Sequence, residues 1–298
     1  MDGEFPLATT RSGILDLQRP MVQNLPLVLA SPHSGAEYPA DFLAASQLDP
    51  LALRRSEDSF VDELFGAAPH LGAPLLSARF PRAYVDVNRE AYELDPSMFC
   101  DALPKFVNAG SSRVRMGLGT IARLVASGEE IYAEKLRFAE VQDRIERHYR
   151  PYHQVLSRLV EETDALFGGC LLIDCHSMPS GVGSGCGRIW ADIVLGDCHG
   201  GACAPEILEA ARCFLVERGF TVAVNAPYAG GFTTDHYGRP ELHRHALQIE
   251  INRALYMNEQ NYRRKPYFAR LARELAELVR RLGRTVEDCL ARPVAAPA

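Results

Sequence analysis

The sequence predicts a three-layer α/β/α fold in which helices cover both faces of a mixed, mostly parallel sheet. Short apolar runs typical of buried strands alternate with amphipathic helical stretches along a chain of 298 residues, which is the pattern of α/β proteins. We find neither an internal repeat nor a linker that would divide the chain. We therefore expect an N-terminal arm over 1–20, a single domain over 21–292 and a frayed tail over 293–298.

Each predicted element follows from hydrophobic periodicity and from the residues that interrupt it. Glycine and small residues over 105–128 indicate a loop above a cleft, and Pro151 is expected to kink or split the helical run around it. The predicted strands lie at 25–31, near 73–79, at 83–87, at 170–175, near 189–195, at 220–224 and at 245–251. The predicted helices lie at 50–69, at 129–165, at 204–217 and from about 259 to 283.

Composition and charge argue against several classes of protein. With 47% hydrophobic and 23% charged residues the chain is typical of a globular domain, and no apolar run approaches the ~20 residues that span a bilayer. The net charge of −6 argues against nucleic acid as a partner. The start of the chain lacks the features of a secretory signal, and its eight cysteines include no C-x-x-C pair. We therefore expect reduced thiols and a cytoplasmic location, without an indication of oligomeric state.

Three predicted strands carry polar side chains where burial would normally exclude them. The apolar run 171–173 leads directly into Asp174 and His176. A second strand ends close to His33, and a third carries Glu250 between two isoleucines. A buried polar group without a partner costs several kcal/mol, and the carboxyl ends of parallel strands form the usual binding crevice. We therefore expect these side chains to converge on a cleft or an ion.

A metal site is the first interpretation of this convergence. Catalytic zinc usually has three protein ligands, typically histidines with a carboxylate, and one open position. His33 and His176 are the candidate imidazoles, while Glu37, Glu57 and Asp58 are the candidate carboxylates. We favour Asp58 because Glu57 and Asp58 open the helical stretch that follows them, and a carboxylate at a helix start can point back into the crevice. The alternative is that Glu57 and Asp58 only cap that helix.

Two further groups suit the binding of a substrate carboxylate. Asn88 and Arg89 follow an apolar strand, and the planar fork of arginine matches a carboxylate in two parallel hydrogen bonds. A solvated turn with a surface ion pair is the alternative. In the glycine-containing loop 230–238, the side chains of Thr234, His236 and Tyr237 are candidate donors to a substrate.

Glu250 is the candidate general base. Its neighbours Ile249 and Ile251 point to the other face of the strand, so Glu250 either faces the cleft or lies on a solvated face. In a cleft, a carboxylate with a raised pKa suits proton transfer from water.

Taken together these residues resemble the N-formylglutamate amidohydrolase family, also called the N-formylglutamate deformylases. The matching stretches follow one another in the family order from residue 31 to Met257, so the resemblance covers most of the chain. They are Ser31–Gly35, Glu57–Asp58, Tyr84–Arg89, Arg150–His153, Asp174–Ser177, Gly230–Gly238 and His243–Glu250.

The resemblance implies a phosphorylase/hydrolase-like α/β/α fold related to zinc carboxypeptidases and aspartoacylase. It also implies removal of formate from N-formyl-L-glutamate, a step of histidine degradation, with one zinc ion per chain. His33, Asp58 and His176 would hold the zinc, and Asn88 with Arg89 would clamp the carboxylate of a small-molecule substrate. Glu250 would take a proton from water and pass it to the leaving amine.

Two departures from the family pattern bear on the substrate. Asp235 stands where family members often carry an arginine, and Ser59 with Phe60 replaces a Trp-His pair. These changes leave open another N-acyl amino acid as the substrate. A zinc peptidase-like hydrolase of small peptides and a non-catalytic metal- or ligand-binding relative are the remaining alternatives.

Overall fold

The computed structural model describes residues 8–11, 13–181 and 191–291. Its strands are β1 (Ala8–Arg11), β2 (Leu15–Arg19), β3 (Leu27–Ser31), β4 (Leu75–Ala78), β5 (Cys170–Met178), β6 (Ile193–Gly196), β7 (Val222–Val224), β8 (Arg244–Asn252), β9 (Met257–Asn258) and β10 (Arg263–Arg264). Within the described residues, eight strands form one sheet in the order β1-β2-β4-β3-β5-β8-β6-β7, and β9 pairs with β10 separately.

The large sheet is mixed and mostly parallel, as the sequence predicts. Strands β3, β4, β5 and β8 run parallel to their neighbours at the centre, and β6 runs parallel to β7. The β1–β2, β2–β4 and β6–β8 pairs are antiparallel. Every residue of β5 is buried, as expected for a central strand with helices on both faces.

Helices form the two outer layers. They are α1 (Ala40–Ala45), α2 (Pro50–Leu53), α3 (Val61–Leu64), α4 (Ser112–Arg115), α5 (Phe138–Arg144), α6 (Arg150–Phe167), α7 (Pro205–Glu217), α8 (Phe232–Tyr237) and α9 (Phe268–Leu290). The apolar face of α6 packs on one side of the sheet, and those of α7 and α9 pack on the other. No helix within the described ranges combines the length and apolarity that crossing a bilayer requires.

Side chains of β5 alternate between the two layers, and this alternation positions the site. Cys170 and Leu172 pack on the α6 side, whereas Ile173 packs towards α7 and α9. The α6-side row continues with Asp174 and His176 at the carboxyl end of the strand. The polar residues that interrupt the apolar run therefore share one face of the sheet.

Part of the predicted N-terminal arm belongs to the large sheet. Residues 8–11 and 15–19 form β1 and β2, and β2 pairs with β4 at the sheet edge. Leu15 is buried and Leu17 packs against the same apolar cluster, so a short alternation of leucines stabilises this edge. The predicted tail over 293–298 lies outside the described residues.

Other boundaries also differ from the prediction. The helix expected over 50–69 is interrupted between α2 and α3, where Phe60 has a left-handed backbone with φ of 68°. Residues 83–87 form turns instead of a strand. The helix expected over 129–165 begins only at Phe138, and a π-helical stretch at Ile145–Tyr149 lies directly before Pro151, which has no backbone N–H to donate.

Candidate active site

A cavity of about 310 Å³ lies at the carboxyl ends of the central strands. Residues after β3, near the end of β5 and on β8 line its base, and residues of the 105–128 segment line the opposite side. The expectation of a loop above the cleft therefore agrees with the structure. We call His33, Asp58, His176 and Glu250 the cavity floor.

Two imidazoles and a carboxylate converge in this floor. Nδ1 of His33 lies 3.4 Å from Oδ2 of Asp58, and Nδ1 of His176 lies 3.1 Å from the same oxygen. One candidate ligand atom from each residue lies within 4.8 Å of the other two, and all three side chains are buried. Strand ends β3 and β5 supply the histidines, and the segment between α2 and α3 supplies the carboxylate.

The geometry of these three groups fits a divalent cation. A tetrahedral zinc ion with bonds of about 2.1 Å spaces its ligand atoms about 3.4 Å apart, close to the observed separations from Asp58. Nδ1 of His33 is buried without a hydrogen-bond partner among the described residues. An ion bound there would relieve the cost of that burial.

The second nitrogen of each imidazole faces a carboxylate. Nε2 of His33 lies 2.7 Å from Oδ1 of Asp86, and Nε2 of His176 lies 2.9 Å from Oδ1 of Asp174. An Nε2–H that donates to the carboxylate leaves the lone pair of Nδ1 free for a metal, which is the usual arrangement around metal-binding histidines. Asp86 therefore orients the ring of His33, while Nε2 of His176 also lies within hydrogen-bond distance of Nδ2 of Asn88.

The other oxygen of Asp58 is held from the opposite side. Oδ1 accepts hydrogen bonds from Ser177 Oγ at 3.2 Å and from Arg253 Nη2 at 3.0 Å. Burial alone would raise the pKa of Asp58, but the neighbouring imidazoles of His176 and His33 and the guanidinium of Arg253 hold that pKa well below the usual range. The carboxylate is therefore ionised, with Oδ2 directed at the histidines.

The structure separates Asp58 from the two other candidate carboxylates. Glu57 is buried, but it accepts hydrogen bonds from Tyr38 at 2.7 Å and from Ser59 at 2.8 Å and pairs with Arg54 at 3.0 Å. Glu37 is exposed and forms an ion pair with Arg79. Among the described residues, neither belongs to the candidate metal group.

The break between α2 and α3 brings Asp58 into place. The backbone N–H of Asp58 donates to the carbonyl of His33 at 3.0 Å, and Val61 donates back to the carbonyl of Asp58 at 3.2 Å. The left-handed backbone of Phe60 reverses the chain between these two bonds. A continuous helix over 50–69 would not allow this contact with His33.

Glu250 lies beside the imidazole pair because of strand register. In the parallel β5–β8 pair, Glu250 is the partner of His176, and both point to the α6 side of the sheet. Its side chain lines the cavity, where Oε1 accepts a hydrogen bond from Gln248 Nε2 at 3.0 Å. Burial raises the pKa of Glu250 to about 7. Glu250 therefore faces the cleft and not a solvated surface.

Asn88 and Arg89 also line the cavity, and both are buried. Nδ2 of Asn88 lies 3.1 Å from Nε2 of His176, and its Oδ1 accepts from the backbone N–H of Thr233 at 2.8 Å. Nε and Nη1 of Arg89 donate to backbone carbonyls of Leu118 and Asn88 at 2.8 and 2.6 Å. The guanidinium is held rigidly, and its Nη2 has Asp86 as its ion-pair neighbour at 3.6 Å.

Comparison with known proteins identifies the family. The profile of the N-formylglutamate amidohydrolase family matches residues 25–257, which is most of the chain. The chain belongs to the N-formylglutamate amidohydrolase family.

Individual members of the N-formylglutamate amidohydrolase family agree with the profile. The N-formylglutamate deformylase of Pseudomonas aeruginosa is 31% identical over 243 residues, 79% of this chain and 84% of that protein. The Pseudomonas putida deformylase is 28% identical over 238 residues, 79% of this chain and 83% of that protein. The crystal structure of N-formylglutamate amidohydrolase from Ralstonia eutropha, 40% identical, superposes with a TM-score of 0.87 over 93% of this chain and 100% of that chain.

Three candidate substrate-binding residues of this amidohydrolase lie away from the cavity lining. They belong to α8, which replaces the predicted open loop. Thr234 is buried and donates to Oδ2 of Asp174 at 3.3 Å, while Tyr237 is hydrogen-bonded to His153 at 3.0 Å. His236 is exposed and stacks on Phe232. The backbone of Gly230 and Gly231 faces the cavity in their place.

Sequence reasoning missed three arginines that line the cavity of this amidohydrolase. They are Arg82, Arg113 and Arg253. Arg253 directly follows β8, so a strand-end argument would have found it. Arg82 precedes Asp86 by four residues and pairs with it at 2.7 Å. Arg113 lies within the predicted loop, and no spacing signal distinguishes it from neighbouring arginines.

Proposed function

We propose that this amidohydrolase cleaves N-formyl-L-glutamate to L-glutamate and formate with the help of one zinc ion. Membership of the N-formylglutamate amidohydrolase family supports the reaction, and the relatives named above carry that activity in their names. The observation that carries the proposal is the convergence of His33, Asp58 and His176 beside Glu250 in one cavity. A donor set of two imidazoles and one carboxylate is typical of catalytic zinc.

His33, Asp58 and His176 would hold the zinc, with Asp86 and Asp174 fixing the two rings. When bound, zinc supplies Lewis acidity, which polarises an amide carbonyl and makes water easier to deprotonate. Oε2 of Glu250 has no hydrogen-bond partner among the described residues, whereas Oε1 is taken by Gln248. We assign to Oε2 the acceptance of a proton from water and its later transfer to the leaving amine.

Arg89, with Asn88 beside it, would hold the α-carboxylate of the substrate. Two of its three nitrogens are fixed by backbone carbonyls, so the guanidinium lines the cavity without the entropy cost of ordering a free arginine. Positioning of this kind converts binding energy into alignment of the amide with Glu250.

A peptidase-like activity is the second candidate. A neighbouring cavity of about 270 Å³ shares Asn88, Arg89 and Arg113 with the first, and this continuity would accommodate a substrate longer than a formyl amino acid.

The free thiols of the described cysteines agree with a cytoplasmic location, which we retain as a proposal.

The decisive experiment is an amine-release assay on purified protein of known metal content. We expect about one zinc per chain, loss of turnover on chelation, recovery with zinc, and a preference for N-formyl-L-glutamate over N-acetyl-L-glutamate and glutamyl dipeptides. Full activity in metal-free protein would refute the zinc proposal. Preference for the dipeptides would favour the peptidase alternative.

A further inference from the structure

Arg113 lies at the junction of two cavities and has no ion-pair partner in the part of the chain that the structure describes. It lies on α4 and is partly buried, and its side chain lines both the main cavity and the neighbouring one. Among the described residues, no side chain or carbonyl forms a hydrogen bond or an ion pair with its guanidinium. The adjacent Arg115, on the same helix, is exposed and donates to the carbonyl of Gly110.

Arg113 lies close to two other arginines of the cavity lining. Arg82 and Arg89 share one carboxylate oxygen, Oδ2 of Asp86, at 2.7 and 3.6 Å. Burial lowers the pKa of Arg89 to about 10, Asp86 opposes this, and the charges of Arg82 and Arg113 lower it further. We call Arg82, Arg89 and Arg113 the arginine wall. Within the described ranges, its three guanidinium groups have a single acid at ion-pair distance, Asp86, which is also shared with His33.

Among the described residues, none of the acids that line the neighbouring cavity forms an ion pair with Arg113. In the neighbouring cavity, Glu93 is hydrogen-bonded to Ser111, and Glu90 accepts from Asn108 at 2.7 Å. Asp235 is exposed to solvent. A bound anion would therefore provide an ion-pair partner for a guanidinium group that already lines the cavity.

We propose that Arg113 determines substrate specificity by binding the side-chain carboxylate of the substrate, while Arg89 holds the α-carboxylate. The inference rests on the proposed function and deepens it, because it assigns the preference for N-acyl derivatives of acidic amino acids to one residue. Arg89 and Arg113 line the cavity together, and each would pair with one of the two carboxylates of such a substrate. Arg113 lies on α4 and not on the strands that carry the cavity floor, so it acts on recognition and not on bond cleavage.

The test compares two substrates, the acid N-formyl-L-glutamate and its isosteric amide N-formyl-L-glutamine. We expect Arg113→Gln to lower kcat/KM for N-formyl-L-glutamate by roughly 10- to 100-fold through a higher KM, because a charge-assisted pair is lost. Turnover of N-formyl-L-glutamine, which lacks the side-chain charge, should stay within about threefold of its wild-type value. Arg113→Lys should restore part of the preference, and Arg115→Gln is the matched control.

Binding without turnover separates this inference from the proposed function. In calorimetry with the zinc-loaded full-length protein, Arg113→Gln should weaken binding of glutarate, a dicarboxylate, but not of butyrate, a monocarboxylate. This result stands even if the wild type cleaves no N-formyl substrate, in which case only the proposed function fails. Equal losses for both ligands, or no loss for glutarate, would overturn the role of Arg113.

Discussion

The cavity floor and the arginine wall differ in whether their charged side chains have partners. On the floor, each acid has its own partner: Asp58 is paired with Arg253, and Glu250 accepts from Gln248. In the wall, Arg82 and Arg89 compete for Asp86, and Arg113 has no counter-ion among the described residues. A paired and buried group is fixed in place before substrate arrives, whereas an unpaired cation gains its partner only on binding.

This difference separates bond cleavage from recognition within one cavity. Floor residues lie on adjacent strands or are hydrogen-bonded to them, so small displacements there disturb the chemistry. Wall residues lie on the segments between the strands. Changes to the floor should therefore abolish turnover for all substrates, and changes to the wall should alter the order of preference among them.

The largest expected effect comes from Asp58→Asn. The amide keeps an acceptor for Arg253 and Ser177 but removes the anionic ligand oxygen, so the protein should lose its metal and at least ~1,000-fold in kcat. Metal analysis and steady-state kinetics measure both losses. The matched control is Glu57→Gln, which should retain metal and turn over within about tenfold of wild type. Metal loss in the control alone would show that the wrong carboxylate has been assigned.

Glu250→Gln should remove the base while it leaves the metal group intact. Glutamine is isosteric and does not accept the proton of water, so we expect kcat to fall by at least ~100-fold at unchanged zinc content. Thermal unfolding verifies that the fold is kept. A variant that turns over at nearly the wild-type rate would remove Glu250 from the mechanism.

Arg89→Lys tests the wall without changing its charge. Lysine cannot present a planar fork and cannot reproduce the two bonds to backbone carbonyls, so KM should rise by roughly tenfold with a smaller change in kcat. Initial rates at varied N-formyl-L-glutamate give both constants. If kcat falls and KM is unchanged, Arg89 belongs to the chemistry of the floor and not to recognition.

The smallest expected effect is on the pH dependence of stability. It comes from His153, which is hydrogen-bonded to the backbone that leads to Asn88 and Arg89. Its Nε2 lies 2.8 Å from the carbonyl of Val87, directly before Asn88, and its Nδ1 lies 3.0 Å from the hydroxyl of Tyr237. Burial lowers the pKa of His153 to about 4, against about 6.5 in an unfolded chain. Between these values the unfolded state binds the extra proton, so stability should fall as pH decreases from about 6.5 to 4.

Urea unfolding at several pH values measures this dependence. His153→Gln keeps a donor and an acceptor, so its free energy of unfolding should decline less steeply over the same interval. Exposed His70→Gln is the control and should follow the wild type. A variant as acid-sensitive as the wild type would mean that His153 is not the titrating group.

Much of the cavity floor could be predicted from the sequence because it depends on the alternation of side chains along single strands. Period-two alternation places Asp174 with His176, and Gln248 with Glu250, while parallel pairing brings the two strands together. The sequence favoured Asp58 but could not exclude Glu57, since the placement of the two carboxylates depends on the backbone turn at Phe60. That turn is held by hydrogen bonds to a distant segment.

The wall could not be predicted because its residues meet only through long-range backbone contacts. The segment that carries Arg113 folds over the cavity through hydrogen bonds between Thr120 and both Asp86 and Glu93. Periodicity gives no information on such pairings. The candidate donors of loop 230–238 failed for a related reason: α8 turns their side chains into the protein or out to solvent.

The pairing of His176 with Glu250 across neighbouring strands has an evolutionary consequence. A single-residue insertion in either strand would turn one of them to the opposite face of the sheet, so this part of the gene tolerates almost no change in length. Segments such as 105–128 are free of that constraint. Descendants of a common ancestor can thus exchange one leaving amino acid for another while they inherit the same hydrolytic machinery.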